Sequence, residues 1–366
     1  MTRKVRDLLI QGPIRTEYVY CNAMYTVASY LVEQKSKKSF SEYLQQNFFQ
    51  PLGMRSTSLQ PAAARAKGLG DRITKGHLWD DAKQQYLEFD FPDTPEGQGA
   101  GSIITSVNDY IKYVKAMMHK QAPFTEKVYK GIMKERTIMG LETEEPYPFS
   151  SPRIYASGWR LHYYRGYQVV AHQGGIPGCG TTHLFMPDVK FGCVIFANAG
   201  NPGSIISILV HELIDEVLNV PQDQRLDWEE FEIIRSEQEE NVEPTADDQK
   251  DEQSLLPNDT REQLPQGRPL STYTGEYRHP GYGSIEVQVK DGQLFVDAND
   301  RSLAVEMTFE FLPKQTKFVA YLSCPTEGIC DRVPAGLRFD EEGCAWLGIE
   351  LDEPKVLVWF ERVRGE

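Results

Sequence analysis

Apolar and polar positions change period along the chain, and each change marks a new element. From Asn22 to Glu33, Ala23, Val27, Ala28, Tyr30 and Leu31 recur at helical spacing, which predicts a helix burying that face. A second helix starts at Ser39. Ser39 and Glu42 have capping-box spacing, Phe40, Tyr43, Leu44 and Phe48 repeat every three or four residues, and Pro51-Leu52-Gly53 stops the run. Residues 55–100 are rich in turn formers and read mostly as loop. A third helix opens at Ser106, with Asp109 as capping partner and Val107, Tyr110, Ile111, Val114 and Met118 on its buried side. An irregular stretch runs on to about Pro152. The pattern then turns extended: Ser157–Tyr164, Tyr167–His172, Thr182–Met186 and Gly192–Ala197 read as strands. The links are Arg165-Gly166, a Gly-rich loop and Pro187-Asp188, short enough to require antiparallel neighbours. An apolar helix over Ser204–Val220 carries Ile205, Ile208, Leu209, Leu213, Val217 and Leu218 in register. Helices, antiparallel strands and a covering helix predict one α+β layered domain over residues 1–222.

The pattern fades at 223–268, which holds 15 Asp/Glu against 4 Lys/Arg between Asp223 and Gly267. So few large apolar residues cannot offset the entropy of ordering, which predicts an acidic linker, with Trp228–Ile234 extending the helix before it. From Pro269 to the last residue, 366, strict alternation takes over. Ile285, Val287 and Val289 precede an Asp291-Gly292 type I′ turn signal, and Leu294 and Val296 follow it. Further short strands near Phe309, Lys317–Leu322, Gly336–Phe339, Ala345–Ile349 and Lys355–Glu361 predict an all-β barrel or sandwich.

Length and charge narrow the function classes. A chain of 366 residues is long enough for two domains. Its net charge of −14 argues against nucleic acid and against an anionic membrane surface as partners. Six scattered cysteines without a CxxC pair read as reduced thiols, with a Cys324–Cys330 bridge as a minor alternative. The segment after Met1 has basic residues but no apolar core, so it does not read as a secretory signal, and a cytoplasmic location is expected. His211-Glu212 begins a zinc-protease pattern, but Asp215 stands where the second histidine belongs. Neither a metal nor another cofactor is expected.

Two short stretches carry candidate chemistry. Tyr20-Cys21-Asn22 stands just before a helix: a tyrosine hydroxyl can relay a proton, and an asparagine amide can hold a carbonyl or an ammonium. A tyrosine there is ordinarily core or interface filler. His172-Gln173-Gly174-Gly175 ends a strand, where Gly174 and Gly175 let a substrate approach the backbone and a free N–H can bind an oxyanion. A histidine at a strand end is, alone, more often structural.

Together, Tyr-x-Asn before a helix and His-x-Gly on a strand resemble the serine β-lactamase and penicillin-binding-protein family. The segment Arg15 to Tyr25, Pro51-Leu52-Gly53-Met54 with Thr57, the run from Gly99 to Asp109, and His172 to Gly178 match its ordered motifs. The resemblance implies an α+β fold: an incomplete β-lactamase/transpeptidase-like sandwich followed by a lipocalin-like barrel over 269–366. It implies acyl transfer on a small-molecule ester or amide, a peptide or a secondary metabolite, through an acyl-enzyme. It assigns Tyr20 to proton transfer, Asn22 to the substrate acyl group and the lysine, His172 to the opposite wall, and the Gly175 N–H, beside Gly174, to the oxyanion.

The family nucleophile and its lysine lie in Ser-x-x-Lys. Here no lysine has a serine three residues before it, and only 19 residues precede Tyr20. No nucleophile is found. N-terminal truncation, a non-catalytic binding remnant and a replacement nucleophile such as Cys179 are the alternatives. Ser106-Val107-Asn108 imitates a family Ser-x-Asn but reads as a helix cap.

Overall fold

The computed structural model describes residues 4–80, 83–140, 147–240, 269–301, 304–311, 317–324, 328–341, 343–351 and 355–364. The chain divides into two compact units, one over Gly12–Gln238 and one formed by Met1–Gln11 with Glu239–Glu366.

The first unit runs α1 (Asn22–Ser36), α2 (Phe40–Leu44), β1 (Ser58–Leu59), α3 (Pro61–Ala66), β2 (Gly76–Asp80), β3 (Gln85–Phe89), β4 (Ile103–Ile104), α4 (Val107–Met118) and α5 (Glu126–Ile132). Then come β5 (Thr137–Ile138), β6 (Ile154–Tyr155), β7 (Arg160–Tyr164), β8 (Tyr167–Ile176), β9 (Cys179–Met186), β10 (Phe191–Ala197), α6 (Gly203–Val217) and α7 (Trp228–Glu240). Strands β5 to β10 form one antiparallel sheet in simple sequence order, with β5 and β10 at its edges. Arg165 and Gly166 both have positive φ, the geometry that a two-residue turn between twisted strands demands. One sheet face packs Leu161, Val170 and Phe185 against Val114 and Met117 of α4. The other packs Tyr164, Val169, Leu184 and Met186 against Ile214 of α6 and Trp228 of α7.

Several expectations need correction. The Ser39–Glu42 capping box is present, but Ser106 makes no side-chain cap. Asp109 has other work: its buried carboxylate accepts from the Ser56 N–H at 2.6 Å, the Thr57 hydroxyl at 3.1 Å and Lys112 Nζ at 2.7 Å. It thereby ties α4 to the segment after Met54. Residues 55–100 are mostly irregular, as expected, and also hold α3 and the paired strands β2 and β3. Helix α1 buries Thr26 and Ser29 and leaves Met24 and Leu31 more than half exposed. The reason is close approach. A Cβ on Gly99 would lie 2.1 Å from the Tyr25 carbonyl oxygen, so the helix is seated on its small polar face. Helix α6 meets the expected register only in part: Ile208 and Leu218 pack toward the sheet as expected, but Ile206, Ser207, Ile214 and Asp215 are buried while Ile205, Leu209 and Leu213 are exposed.

Helix α7 starts inside the expected linker and is separate from α6, beyond a turn at Gln222–Gln224. Trp228 is buried, stacks on His211 at 3.9 Å and donates its indole N–H to Asp215 at 3.2 Å. The rest of the expected linker, 241–268, lies outside the described residues.

The second unit is an all-antiparallel closed barrel of eight strands in sequence order: β11 (Gly275–His279), β12 (Gly283–Lys290), β13 (Gln293–Ala298), β14 (Val305–Phe311), β15 (Lys317–Cys324), β16 (Gly328–Asp340), β17 (Gly343–Glu350) and β18 (Leu357–Arg362). It closes through Tyr277↔Arg362 and Arg278↔Glu361. Asp291 and Gly292 have the positive φ values that their turn signal predicts. Inward residues, among them Tyr277, Val296, Phe309, Phe318, Leu337 and Phe360, fill the interior. The void that Tyr277, Val287, Leu294, Phe309, Phe318 and Leu347 line among them is about 10 Å³, room for no more than a water. Asp7 and Leu8 pack on it at Gly281, where a Cβ would lie 2.6 Å from Leu8 Cδ2.

Candidate functional site

Extended backbone at Cys21 leads into α1 and holds Tyr20 at its mouth. The Tyr20 ring, half exposed, lies 6.4 Å from that of His172 on β8, centroid to centroid. Two contacts fix this start of α1: Tyr18 packs on Tyr155 at 5.1 Å, and the loop at Gly99 presses on Tyr25. Tyr20 and His172, far apart in sequence, are therefore neighbours. Asn22 is the first residue of α1 and is exposed. No contact between it and His172 is seen among the described residues.

His172 sits in a hydrogen-bond chain. Its Nδ1 lies 2.6 Å from the Gln173 carbonyl, which can only accept, so the proton is on Nδ1. Nε2 then accepts from the Tyr155 hydroxyl at 3.2 Å, and the Tyr25 hydroxyl donates to Tyr155 at 3.4 Å. Burial lowers the His172 pKa, the Gln173 carbonyl opposes this, and the Arg160 charge adds to the lowering. The imidazole is neutral near pH 7. Burial, together with the bond from Tyr25, pushes the Tyr155 phenol up, so it keeps its proton. A chain of neutral hydroxyls ending on an imidazole can hand a proton along without placing a fixed charge beside a substrate. Tyr155 carries no motif, and nothing in the sequence distinguishes it from a packing tyrosine.

Gly174 and Gly175 are not in a loop. β8 continues through them to Ile176, pairing with Thr181 and Gly180 of β9, and the chain turns at Pro177-Gly178. The tight turn explains the glycines. Gly178 has a positive φ and abuts Phe89 and the His77 N–H, and a Cβ on Gly180 would lie 2.2 Å from Pro202. β7 pairs with β8 only as far as Arg160↔Ala171. Among the described residues, His172–Ile176 therefore leaves one backbone edge unpaired, and the space at Gly175 is open to 4 Å. Cys179, which starts β9, does not fit an activated nucleophile: burial pushes its thiol up, the opposite of what a thiolate requires. His211 is stacked between Tyr147 and Trp228 as a core residue.

Residues 1–206, more than half of the chain, match the family model described as Beta-lactamase. The chain belongs to the beta-lactamase family. Residues 259–343 match a second model, described as a domain of unknown function (DUF3471). Two similar relatives are the Unguisins hydrolase ungD' of Aspergillus campestris and the Unguisins hydrolase ungD of Aspergillus violaceofuscus. The first is 30% identical over 371 residues, covering 99% of this chain and 66% of the relative. The second is 31% identical over 344 residues, covering 85% of this chain and 57% of the relative. This beta-lactamase-family chain thus spans less than two-thirds of the length of either. Among solved structures it is similar to the octameric penicillin-binding protein homologue from Pyrococcus abyssi, with 16% identity, a TM-score of 0.49, and coverage of 95% of this chain and 66% of that one. Among the described residues no helix is long and apolar enough to cross a membrane.

Proposed function

We propose that this chain forms the proton-relay and substrate-binding part of a serine hydrolase, which cleaves an ester or amide through an acyl-enzyme. The observation that carries the reading is the placing of Tyr20, Tyr155 and His172 together beside the unpaired edge of β8 at Gly174 and Gly175. Tyr20 exchanges a proton with the nucleophile and the leaving group, Asn22 holds the substrate acyl side, and the Gly175 N–H receives the oxyanion. In the step itself, a serine oxygen attacks the carbonyl carbon. The leaving alcohol or amine departs with a proton, and water then releases the acyl group as a carboxylate and restores the serine. Similarity to the two unguisins hydrolases supports a hydrolytic reaction.

The serine and its lysine come, in this reading, from a Ser-x-x-Lys segment outside residues 1–366. Three apolar surfaces of the first unit support that view. Among the described residues β10, with the apolar sequence Phe191–Ala197, pairs on one side only. Helix α6 exposes Ile205, Leu209 and Leu213, and α1 exposes Met24 and Leu31. Among the described residues Cys21, Cys179, Cys193 and Cys344 form no disulfide, which supports a cytoplasmic setting. The second reading, a binding protein without turnover, rests on the missing Ser-x-x-Lys.

The test uses the uninterrupted gene product and a p-nitrophenyl ester, with Tyr20→Phe and Tyr155→Phe variants. Loss of general acid–base assistance should lower kcat by about 100-fold or more for Tyr20→Phe. Unchanged kcat in that variant removes the proposed role, and absence of any turnover in the parent protein favours the binding reading.

A further inference from the structure

The sheet face turned toward α6 is not fully packed. Strand alternation places Arg160 and His162 of β7 on the same face as Tyr164, and Gln173 of β8 on that of Val169 and Ala171. Between this face, α6 and the segment Ser150–Arg153 lies a cavity of about 140 Å³, bordered at β8 by Ala171, His172 and Gln173. That is several times the space one water needs and far less than a drug-sized pocket.

Its wall is chemically one-sided. Arg153, Arg160, His162 and His211 line it, and among the described residues no Asp or Glu does, in a chain of net charge −14. Ser150 Oγ, Arg160 Nε and His162 Nδ1 are buried without a hydrogen-bond partner, and all three residues line this cavity. Leaving such groups unpaired is costly, and a guanidinium N–H can only donate, so the missing partner is an acceptor. Burial and the Arg153 charge push His162 down to about 4, so its imidazole is neutral and can present one N–H. Among the described residues, Asp215 and Glu232, the acids near it, are already engaged. Asp215 accepts from Tyr164, Arg165 and Trp228, and Glu232 accepts from Tyr147. Gln173 Oε1 accepts from Arg160 Nη1 at 2.9 Å, which fixes the guanidinium and leaves Nε for another acceptor.

We propose that this cavity is a binding site for a small monoanionic carboxylate, which accepts hydrogen bonds from Arg160 Nε, His162 and Ser150 Oγ. A carboxylate supplies only acceptors, carries the charge the wall lacks, and suits a guanidinium better than water does. The proposal does not depend on the hydrolase reading.

Calorimetric titration of the 366-residue chain with sodium acetate at pH 7, against sodium chloride at equal ionic strength, tests it. Saturable acetate binding is expected, about tenfold or more weaker in Arg160→Met and less weakened in Arg160→Lys. Ser150→Ala keeps the cation and should weaken acetate several-fold, which covers the case in which Arg160→Met does not fold. No saturable heat beyond chloride means that the cavity holds water only and overturns the proposal. Binding unaltered by Arg160→Met and Ser150→Ala, or inorganic phosphate displacing acetate at lower concentration, also overturns it.

Discussion

Replacing Asp109 probes how the first unit is joined. Its side chain is 7% exposed. Oδ2 takes both the Ser56 N–H and the Thr57 hydroxyl, while Oδ1 faces Lys112 alone. Asp109→Ala leaves the Ser56 N–H without its acceptor and strips fully buried Thr57 of one of its two partners. Hydrogen bonds to a charged acceptor contribute about 1.5–3 kcal/mol each and are not additive, so a loss of about 3–5 kcal/mol is expected. Asp109→Asn can keep an oxygen on the Ser56 and Thr57 side and turn its amide to Lys112. Lys112 is 44% exposed and retains the Gly53 carbonyl, so about 1–2 kcal/mol is expected. Burial raises the Asp109 pKa, but Lys112, Ser56 and Thr57 outweigh it and the net shift is downward. A depressed carboxylate stabilises above its unfolded pKa, so the gap between wild type and Asp109→Ala should close only below about pH 4. Urea unfolding read by hydrogen exchange on α4 peptides separates this unit from the barrel. Equal losses for Ala and Asn, or losses under about 1 kcal/mol for both, would refute the reasoning.

Three further outcomes follow from the packing and the buried imidazoles. Gly99→Ala forces a Cβ to within 2.1 Å of the Tyr25 carbonyl and should cost about 1–3 kcal/mol, whereas Gly101→Ala, with nothing within 4 Å, should be nearly neutral. Equal effects in urea denaturation would contradict this. Burial holds His162 and His211 at about 4 and His183 at about 3. These pKa values are depressed, so their contribution is complete above about pH 6.5 and is lost on acidification, at about 1.4 kcal/mol per pH unit per histidine. NMR should show these rings untitrated from pH 7.5 to 5, and midpoints near 6.5 would count against burial. Trp228→Ala should cost about 3–5 kcal/mol in urea unfolding if α7 is integral to the first unit, and almost nothing if it is linker.

Elements with local signals were legible in the sequence. The capping box at Ser39, the turns at Arg165-Gly166 and Asp291-Gly292 and the alternating strands of the barrel each depend on neighbours within a few residues. Helix facing was not legible for α1 and α6. Ile205, Leu209 and Leu213 form as good a stripe as Ile206, Val210 and Ile214, and only packing on the sheet decides which is buried. Helix α7 was hidden by its acidic surroundings, because its anchorage rests on Trp228 meeting His211 and Asp215 from other parts of the chain. In the candidate site, Tyr20 and His172 were legible through motifs. Tyr155 was not, since its hydrogen bond to His172 joins side chains of β6 and β8 in a way that no local pattern encodes. The Gly-rich stretch was mistaken for loop because glycine there serves close approach across a hairpin as well as a turn.

Mass-spectrometric mapping after fluorophosphonate treatment of the uninterrupted gene product tests the central claim most directly. A single adduct on the serine of a Ser-x-x-Lys outside residues 1–366, with none on residues 1–366 expressed alone, is the expected result. An adduct within 1–366, or none in a product that contains Ser-x-x-Lys, would contradict it.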